Sequence, residues 1–210
     1  MIEKKKLLKD IAYEKIKEKI LRGGSENTSE NLLVEELNMS RTPIREGLQK
    51  LQHEGFIKIL PNQGIMIPNL SIKETNDIFD YRIAIETASL KQAVHLLNND
   101  DFSNLADLIE KQKFAVEEND TFSFIKYDIE FHLYLLKVVG NELFIQGIEN
   151  VSERLHRLSH RIRNNPQKLL MFIQEHIQIM DYLKSKQIEL AVKELENHLN
   201  EGKIKMYGGM

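Results

Sequence analysis

The sequence predicts a mainly α protein: an N-terminal winged helix-turn-helix, then a C-terminal all-α bundle of about six helices. Three observations carry this. Apolar residues recur at helical spacing along most of the 210 residues. Two short β-rich runs occur before residue 70, on either side of Pro61-Asn62-Gln63. Pro (4) and Gly (10) are scarce and Trp is absent, which favours long helices over a sandwich or barrel.

Each element has a local reason. Leu7, Leu8, Ile11, Ile16 and Ile20 give a helix over 5–22, stopped by Gly23-Gly24-Ser25. Ser29 can cap a short second helix with Leu32, Leu33 and Leu37 on its apolar face, and Asn38 can end it in the left-handed conformation. Ser40 or Thr42 can cap a third helix. Pro43 is tolerated in its first turn, and Gly55 closes it. Residues 56–60 and 64–67 read as a hairpin with its tip at 61–63. Pro68-Asn69 reads as a linker. Helices are expected near 71–97, 101–117, 120–138, 141–163, 167–184 and 187–205. The expected domains are 1–69 and 70–210.

Composition narrows the function. There is no cysteine, which removes disulfides, thiolate zinc sites and cysteine nucleophiles and fits a reducing cytoplasm. No apolar run approaches the ~18 residues of a membrane helix, and no signal-peptide stretch follows the basic N-terminus. The expected location is cytoplasmic. Residues 1–70 carry a net +2 and the remainder −5, a weak sign of two separate jobs.

The third helix has a chemically distinct flank. At about 100° per residue, Ile44, Leu48 and Leu51 share a core face, while Arg41, Thr42, Arg45 and Gln49 fall between about 60° and 160° from Ile44. Two guanidinium forks suit guanine O6/N7 or phosphate, with a hydroxyl and an amide beside them. In a winged helix-turn-helix this helix enters the major groove, and the small polar tip Asn62-Gln63-Gly64 would lie beside phosphates.

The histidines of the second half sort by helix face. Asp128 and His132 are i,i+4 and share a face with Phe124, Leu135 and Val139. His176 lies with Leu169, Phe172, Met180 and Leu183, and His198 with Ala191 and Leu195. Each histidine alone reads as a satisfied core residue. Together, three imidazoles and a carboxylate facing inward from three helices read as a divalent metal site with positions left open. Zinc, nickel, manganese and iron all suit these ligands. A second pair, His156 and His160, sits among Arg154, Arg157, Arg161 and Arg163 and reads as surface. Such a metal could also activate water. However, the sequence shows no general base with a partner motif, no paired Glu-x-x-His and no Gly-rich phosphate loop, so an enzyme is not expected.

Residues 40–57, Ser-Arg-Thr-Pro-Ile-Arg-Glu-Gly-Leu-Gln-Lys-Leu-Gln-His-Glu-Gly-Phe-Ile, resemble the S-R-T-P-V-R-E-A-L-x-x-L-x-x-E-G-L-[VI] signature of GntR-superfamily bacterial regulators. Pro61-Asn62-Gln63-Gly64 resembles that family's wing tip. The second half is similar to the ligand-binding FCD domain of the FadR-like branch in its shorter, VanR-like, metal-dependent form. The matching residues are Tyr81-Arg82-x-x-x-Glu86, Asp128-x-x-x-His132 before Gly140-Asn141, Glu175-His176, and His198.

The resemblance implies a DNA-binding transcriptional regulator, read as a repressor. It would bind palindromic double-stranded operator DNA as a homodimer, with the Pro68-Asn69 linker as a hinge. DNA contacts would come from Arg41, Thr42, Arg45 and Gln49, with Gly64 letting the wing backbone approach phosphate. Asp128, His132, His176 and His198 would hold the metal. The family's effectors are mostly small carboxylates such as sugar acids, hydroxy acids and dicarboxylates, bound at or beside the metal. Arg82 would add a positive group to the effector pocket, or else form a structural ion pair with Glu86. Two departures stand out. The segment Gly23–Ser29 is too short, and lacks the Pro, for the family's usual first strand. Asn31 stands where some members place an arginine.

Overall fold

Capping residues set where the first helices begin and end. The computed structural model describes residues 7–22, 28–60, 64–66, 68, 70–156 and 166–207. Helix α1 spans Leu8–Leu21, α2 Glu30–Leu37 and α3 Arg41–His53. Ser29 Oγ accepts from the Leu32 N–H, and Asn38 closes α2 at φ 49°. Ser40 begins α3 in extended backbone without a side-chain cap bond, so Pro43 in the first turn carries more of that start. Ala12, Ile16 and Ile20 of α1 are buried, as are Ile44, Leu48 and Leu51 of α3, where the two helices pack.

The first strand of the hairpin is shorter than expected, and Ile67 of the second lies outside the described residues. Strand β1 spans Lys58–Leu60 and β2 spans Gly64–Met66, paired antiparallel with Ile59 opposite Ile65. Phe56 and Ile57 precede the strand and are buried, so core packing rather than pairing claims them. Among the described residues before α2, an antiparallel bridge joins Thr28 to Ile65, with the Ile65 N–H donating to the Thr28 carbonyl at 3.1 Å. Gly64 sits beside it at φ +91°, and a Cβ there would lie 3.0 Å from the Thr28 oxygen. That glycine therefore has a reason inside the fold, independent of any phosphate. The expected helix stop at 23–25, the hairpin tip 61–63, Asn69, the side chain of His156, and residues 157–165 with His160 lie outside the described residues.

The chain divides into two compact units, Met1–Asn69 and Leu70–Met210. Six helices build the second among the described residues: α4 Ile72–Ala93, α5 Asn99–Glu117, α6 Thr121–Val139, α7 Glu142–His156, α8 Pro166–Lys184 and α9 Ile188–Tyr207. A capping box starts α4, with Ser71 and Glu74 bonding each other's backbone N–H. Helix α5 begins two residues earlier than the sequence suggests. Asn98 accepts from the Asp100 and Asp101 N–H groups while Asp101 accepts from Asn98, so the polar stretch that reads as a break is the cap itself.

Five of these helices close a ring: α4 packs on α6, α6 on α5, α5 on α8, α8 on α9, and α9 back on α4. Helix α7 packs outside, against α6 and α4. Phe124, Phe131, Leu90, Leu105, Leu136 and Ile148 are fully buried in this unit. The fold is mainly α with a two-stranded wing, as expected.

Candidate metal centre and nucleic-acid interface

The ring brings four polar side chains to its middle. Helix α6 supplies Asp128 and His132 one turn apart, α8 supplies His176, and α9 supplies His198. One ligand atom from each lies within 4.8 Å of all the others. The three Nε2 atoms form a near-equilateral triangle, 3.1 Å between His132 and His198 and 3.2 Å on the other two sides. Asp128 Oδ1 lies 3.5 Å from His176 Nε2, and its Oδ2 lies 4.0 Å from His132 Nε2. The imidazoles are buried and the aspartate is mostly so.

Each imidazole is held from behind by a different helix. His176 Nδ1 lies 2.9 Å from Gln112 Oε1. The Gln112 amide nitrogen donates to the Tyr127 carbonyl at 3.3 Å, so its oxygen is the atom turned to His176. His176 Nδ1 must then carry the proton, which leaves Nε2 a bare lone pair. His198 Nδ1 donates to Glu175 Oε2 at 2.7 Å, with the same consequence. His132 Nδ1 lies 2.8 Å from Glu86 Oε2, although that contact is not aligned as a hydrogen bond.

Two lone pairs, the His132 Nε2 atom and a carboxylate thus converge on one point. Such a donor set matches what a divalent cation requires. Ligands about 2.1 Å from a common ion are about 3.4 Å apart at a tetrahedral angle and about 3.0 Å at a right angle. The observed triangle falls between those values.

The electrostatics favour the neutral form of His176 and His198. Burial pushes His176 well below its usual range, helped by the neighbouring His198, His132 and Arg82. Burial also takes His198 down to about 3, with His132 and Arg82 acting in the same direction against Asp128 and Glu86. Burial alone would raise the Glu86 carboxyl, but Arg82 and His132 outweigh it and hold it ionised, well below the usual range. Arg82 Nε donates to Glu86 Oε1 at 2.6 Å. The Arg82 side chain is buried, and its Nη2 has no protein partner. It lines a cavity that also reaches Asp128 and His198. The ion pair with Glu86 and a free donor toward the cavity therefore coexist.

Sequence reasoning does not single out Gln112. It is fully buried on the stripe formed by Leu105, Leu108 and Ala115. An amide on an apolar stripe is the available signal. Glu86 and Glu175 stand out in the sequence as motif residues, but not as the groups that orient His132 and His198.

In the first unit, Arg41, Thr42, Arg45 and Gln49 are all exposed on α3, on one side of its buried Ile44–Leu48–Leu51 face. Arg45 forms a two-bonded pair with Glu30 at the start of α2, Nη2 to Oε1 at 2.9 Å and Nε to Oε2 at 3.3 Å. The pair fixes the guanidinium plane while leaving its other donors free. Asn31, the departure from the arginine pattern, follows Glu30 in the first turn of α2.

Among the described residues, no helix is long and apolar enough to cross a membrane. The chain matches the family models described as "Bacterial regulatory proteins, gntR family" over residues 8–67 and "FCD domain" over residues 77–201. It is 25% identical over 164 residues to the HTH-type transcriptional repressor RspR of Escherichia coli (strain K12), covering 78% of this chain and 72% of that protein. It is 26% identical over 200 residues to the gluconate operon transcriptional repressor of Bacillus subtilis (strain 168), covering 91% of this chain and 81% of that protein. Among solved structures it resembles E. coli McbR/YncC, with a TM-score of 0.81 at 23% identity over 96% of this chain and 98% of that one. It also resembles Lar, which controls expression of the Listeria monocytogenes agr system, with a TM-score of 0.66 at 20% identity over 97% of this chain and 98% of that one.

Proposed function

Because the chain belongs to the GntR family of bacterial regulatory proteins, in the form that carries an FCD domain, we propose that it is a cytoplasmic transcriptional repressor. Its affinity for operator DNA is set by a small carboxylate effector at a divalent metal. The observation that carries the effector half of this reading is the triangle of buried Nε2 atoms closed by Asp128. Asp128, His132, His176 and His198 hold the metal, and Gln112, Glu175 and Glu86 keep the imidazoles turned toward it. Bound there, the ion supplies Lewis acidity that attracts a carboxylate. Arg82 offers Nη2 to the same carboxylate. We read the site as a receptor, a reading supported by the chain's similarity to transcriptional repressors.

Residues 1–69 form the DNA-binding domain and residues 70–210 the metal, effector and dimerisation domain. Arg41, Arg45, Thr42 and Gln49 meet the major groove, with Gly64 in the wing. Effector binding shifts operator affinity only by its differential affinity for the DNA-competent and DNA-incompetent dimers. Selection of DNA from a random pool tests the reading. It should yield a palindrome with half-sites one helical turn apart, bound by two protomers in sedimentation. A monomer at micromolar concentration with and without that DNA, or an enriched pool with no two-fold symmetry, contradicts it.

A further inference from the structure

Arg45 and Glu30 meet edge to edge on the surface of the first unit. Arg45 donates from Nη2 to Glu30 Oε1 at 2.9 Å and from Nε to Glu30 Oε2 at 3.3 Å. The side edge of the guanidinium is therefore filled. Arginine carries five N–H donors in one plane. The two bonds leave the far end of the fork open, where one Nη1 hydrogen and the outer Nη2 hydrogen point the same way. Glu30 has its own reason to stay in place. It is the first residue of α2, directly after the Ser29 cap, where the helix dipole favours a carboxylate. Its side chain is about half as exposed as that of Arg45, 32% against 62%. Glu30 is the anchor of the pair, and Arg45 is the outward member.

We infer that Glu30 is a positioning residue for DNA recognition. It turns Arg45 end-on to the major groove, which makes it a reader of guanine, and it cancels the charge by which Arg45 would otherwise hold phosphate. This rests on the DNA-binding reading above and deepens it.

Geometry gives the first reason. Guanine presents two acceptors side by side in the major groove, O6 and N7, and two parallel N–H groups match them. Adenine presents N7 beside the N6 amino donor, and cytosine presents an amino donor, so a fork of donors meets a donor there. An unpaired arginine samples many rotamers and can offer either its side edge or its end. With the side edge bonded, the end remains, and part of the ordering loss is met before DNA arrives.

Charge gives the second. The guanidinium and the carboxylate sum to zero. A phosphate that approaches Arg45 also meets the Glu30 carboxylate, so the pair gains little from the DNA backbone. A base edge carries no net charge, and directed hydrogen bonds to it survive. Binding to random sequence rests on phosphate neutralisation. Glu30 thus weakens the unselective contact while shaping the selective one, and specificity is the difference between the two. Folding gives no rival reason for the pair, because exposed ion pairs add little stability.

Gel-shift titrations of the full chain test this. The probes are the palindrome that wild type selects from a random pool, a random duplex of equal length, and the palindrome with 7-deazaguanine, which lacks the N7 acceptor, replacing each guanine in turn. The proteins are wild type, E30Q, E30A, R45A and E30Q/R45A, each first checked by melting. Wild type should lose affinity by about fivefold or more at one 7-deazaguanine in each half-site. E30Q and E30A should bind random DNA more tightly, with a salt dependence steeper by about one ion per protomer. Their preference for the palindrome over random DNA should fall by about tenfold or more. In the R45A background, E30Q should raise affinity for both duplexes alike and leave the preference unchanged, because Glu30 acts through Arg45. If wild type enriches no sequence, the DNA-binding reading fails and this inference with it. An enriched palindrome that contains no guanine, or whose binding ignores every 7-deazaguanine, overturns the inference alone. So does a preference kept by whichever of E30Q and E30A is folded. A loss of preference as large in the R45A background as in wild type also overturns it, since Glu30 would then act without Arg45.

Discussion

His176→Ala and His198→Ala should each abolish the stoichiometric zinc that the wild-type chain takes up. Each removes one corner of the Nε2 triangle. Each also strands an orienting group, Gln112 Oε1 or Glu175 Oε2. Metal at a hundredfold excess over its dissociation constant stabilises the folded state by about 3 kcal/mol. For a unit of this size that raises the midpoint by roughly 5–10 °C. Wild type should show that rise on adding zinc, and neither variant should.

The same histidines give a pH signature in the metal-free chain. Burial holds His176 and His198 below their unfolded values, His198 at about 3. As pH falls through about 6.5, the unfolded chain takes up protons that these two do not. Their contribution is therefore fully present above about pH 6.5 and is lost progressively toward pH 3. The midpoint should be flat from pH 8 to 7 and fall below 6.5. Equal zinc content in all three proteins would show these to be ordinary core histidines, and a midpoint constant from pH 7 to 5 would contradict their burial as neutral imidazoles.

Arg45→Ala should weaken binding to the selected palindrome by about tenfold to a hundredfold, equivalent to 1–3 kcal/mol, if its fork reads a base pair bidentately. Binding to random DNA should change far less. The loss belongs to recognition and not to folding, because the Arg45–Glu30 pair is solvent-exposed and such pairs add little stability. Arg41→Ala should lower the dependence of log affinity on log salt by about one ion if Arg41 neutralises a phosphate. Gel-shift titrations at several salt concentrations measure both. Unchanged affinity and salt slope in both variants would move the interface off α3.

Much of the fold is readable in the sequence because its signals are local. Ser29 and Asn38 bound α2 by hydrogen bonds within three residues, and residue type reports such bonds directly. The inward faces of α6, α8 and α9 follow from helical period, so the sequence alone groups Asp128, His132, His176 and His198. The departures are non-local. Asn98-Asn99-Asp100 reads equally as a break or a cap, and only the reciprocal bonds with Asp101 decide. Phe56 and Ile57 have strand propensity but are claimed by the core. Thr28 pairs with Ile65 across two helices and a strand, which no spacing announces. Glu86 is legible as the i,i+4 partner of Arg82, yet its approach to His132 depends on how α4 meets α6. The role of Gln112 depends on α5 and α8 being neighbours in the ring.

The central claim is that the metal cluster and its carboxylate ligand govern DNA binding by this chain. It is tested most directly by titrating the selected palindrome with zinc-loaded wild type, in the presence and absence of saturating acetate, succinate or D-gluconate in turn, beside His176→Ala under the same conditions. The account predicts an operator affinity that changes by at least fivefold with at least one of these acids in the zinc-loaded wild type, the range expected of an allosteric coupling, and by nothing measurable in His176→Ala, whose basal affinity remains close to wild type. Identical curves for wild type with and without each of the three acids would contradict it.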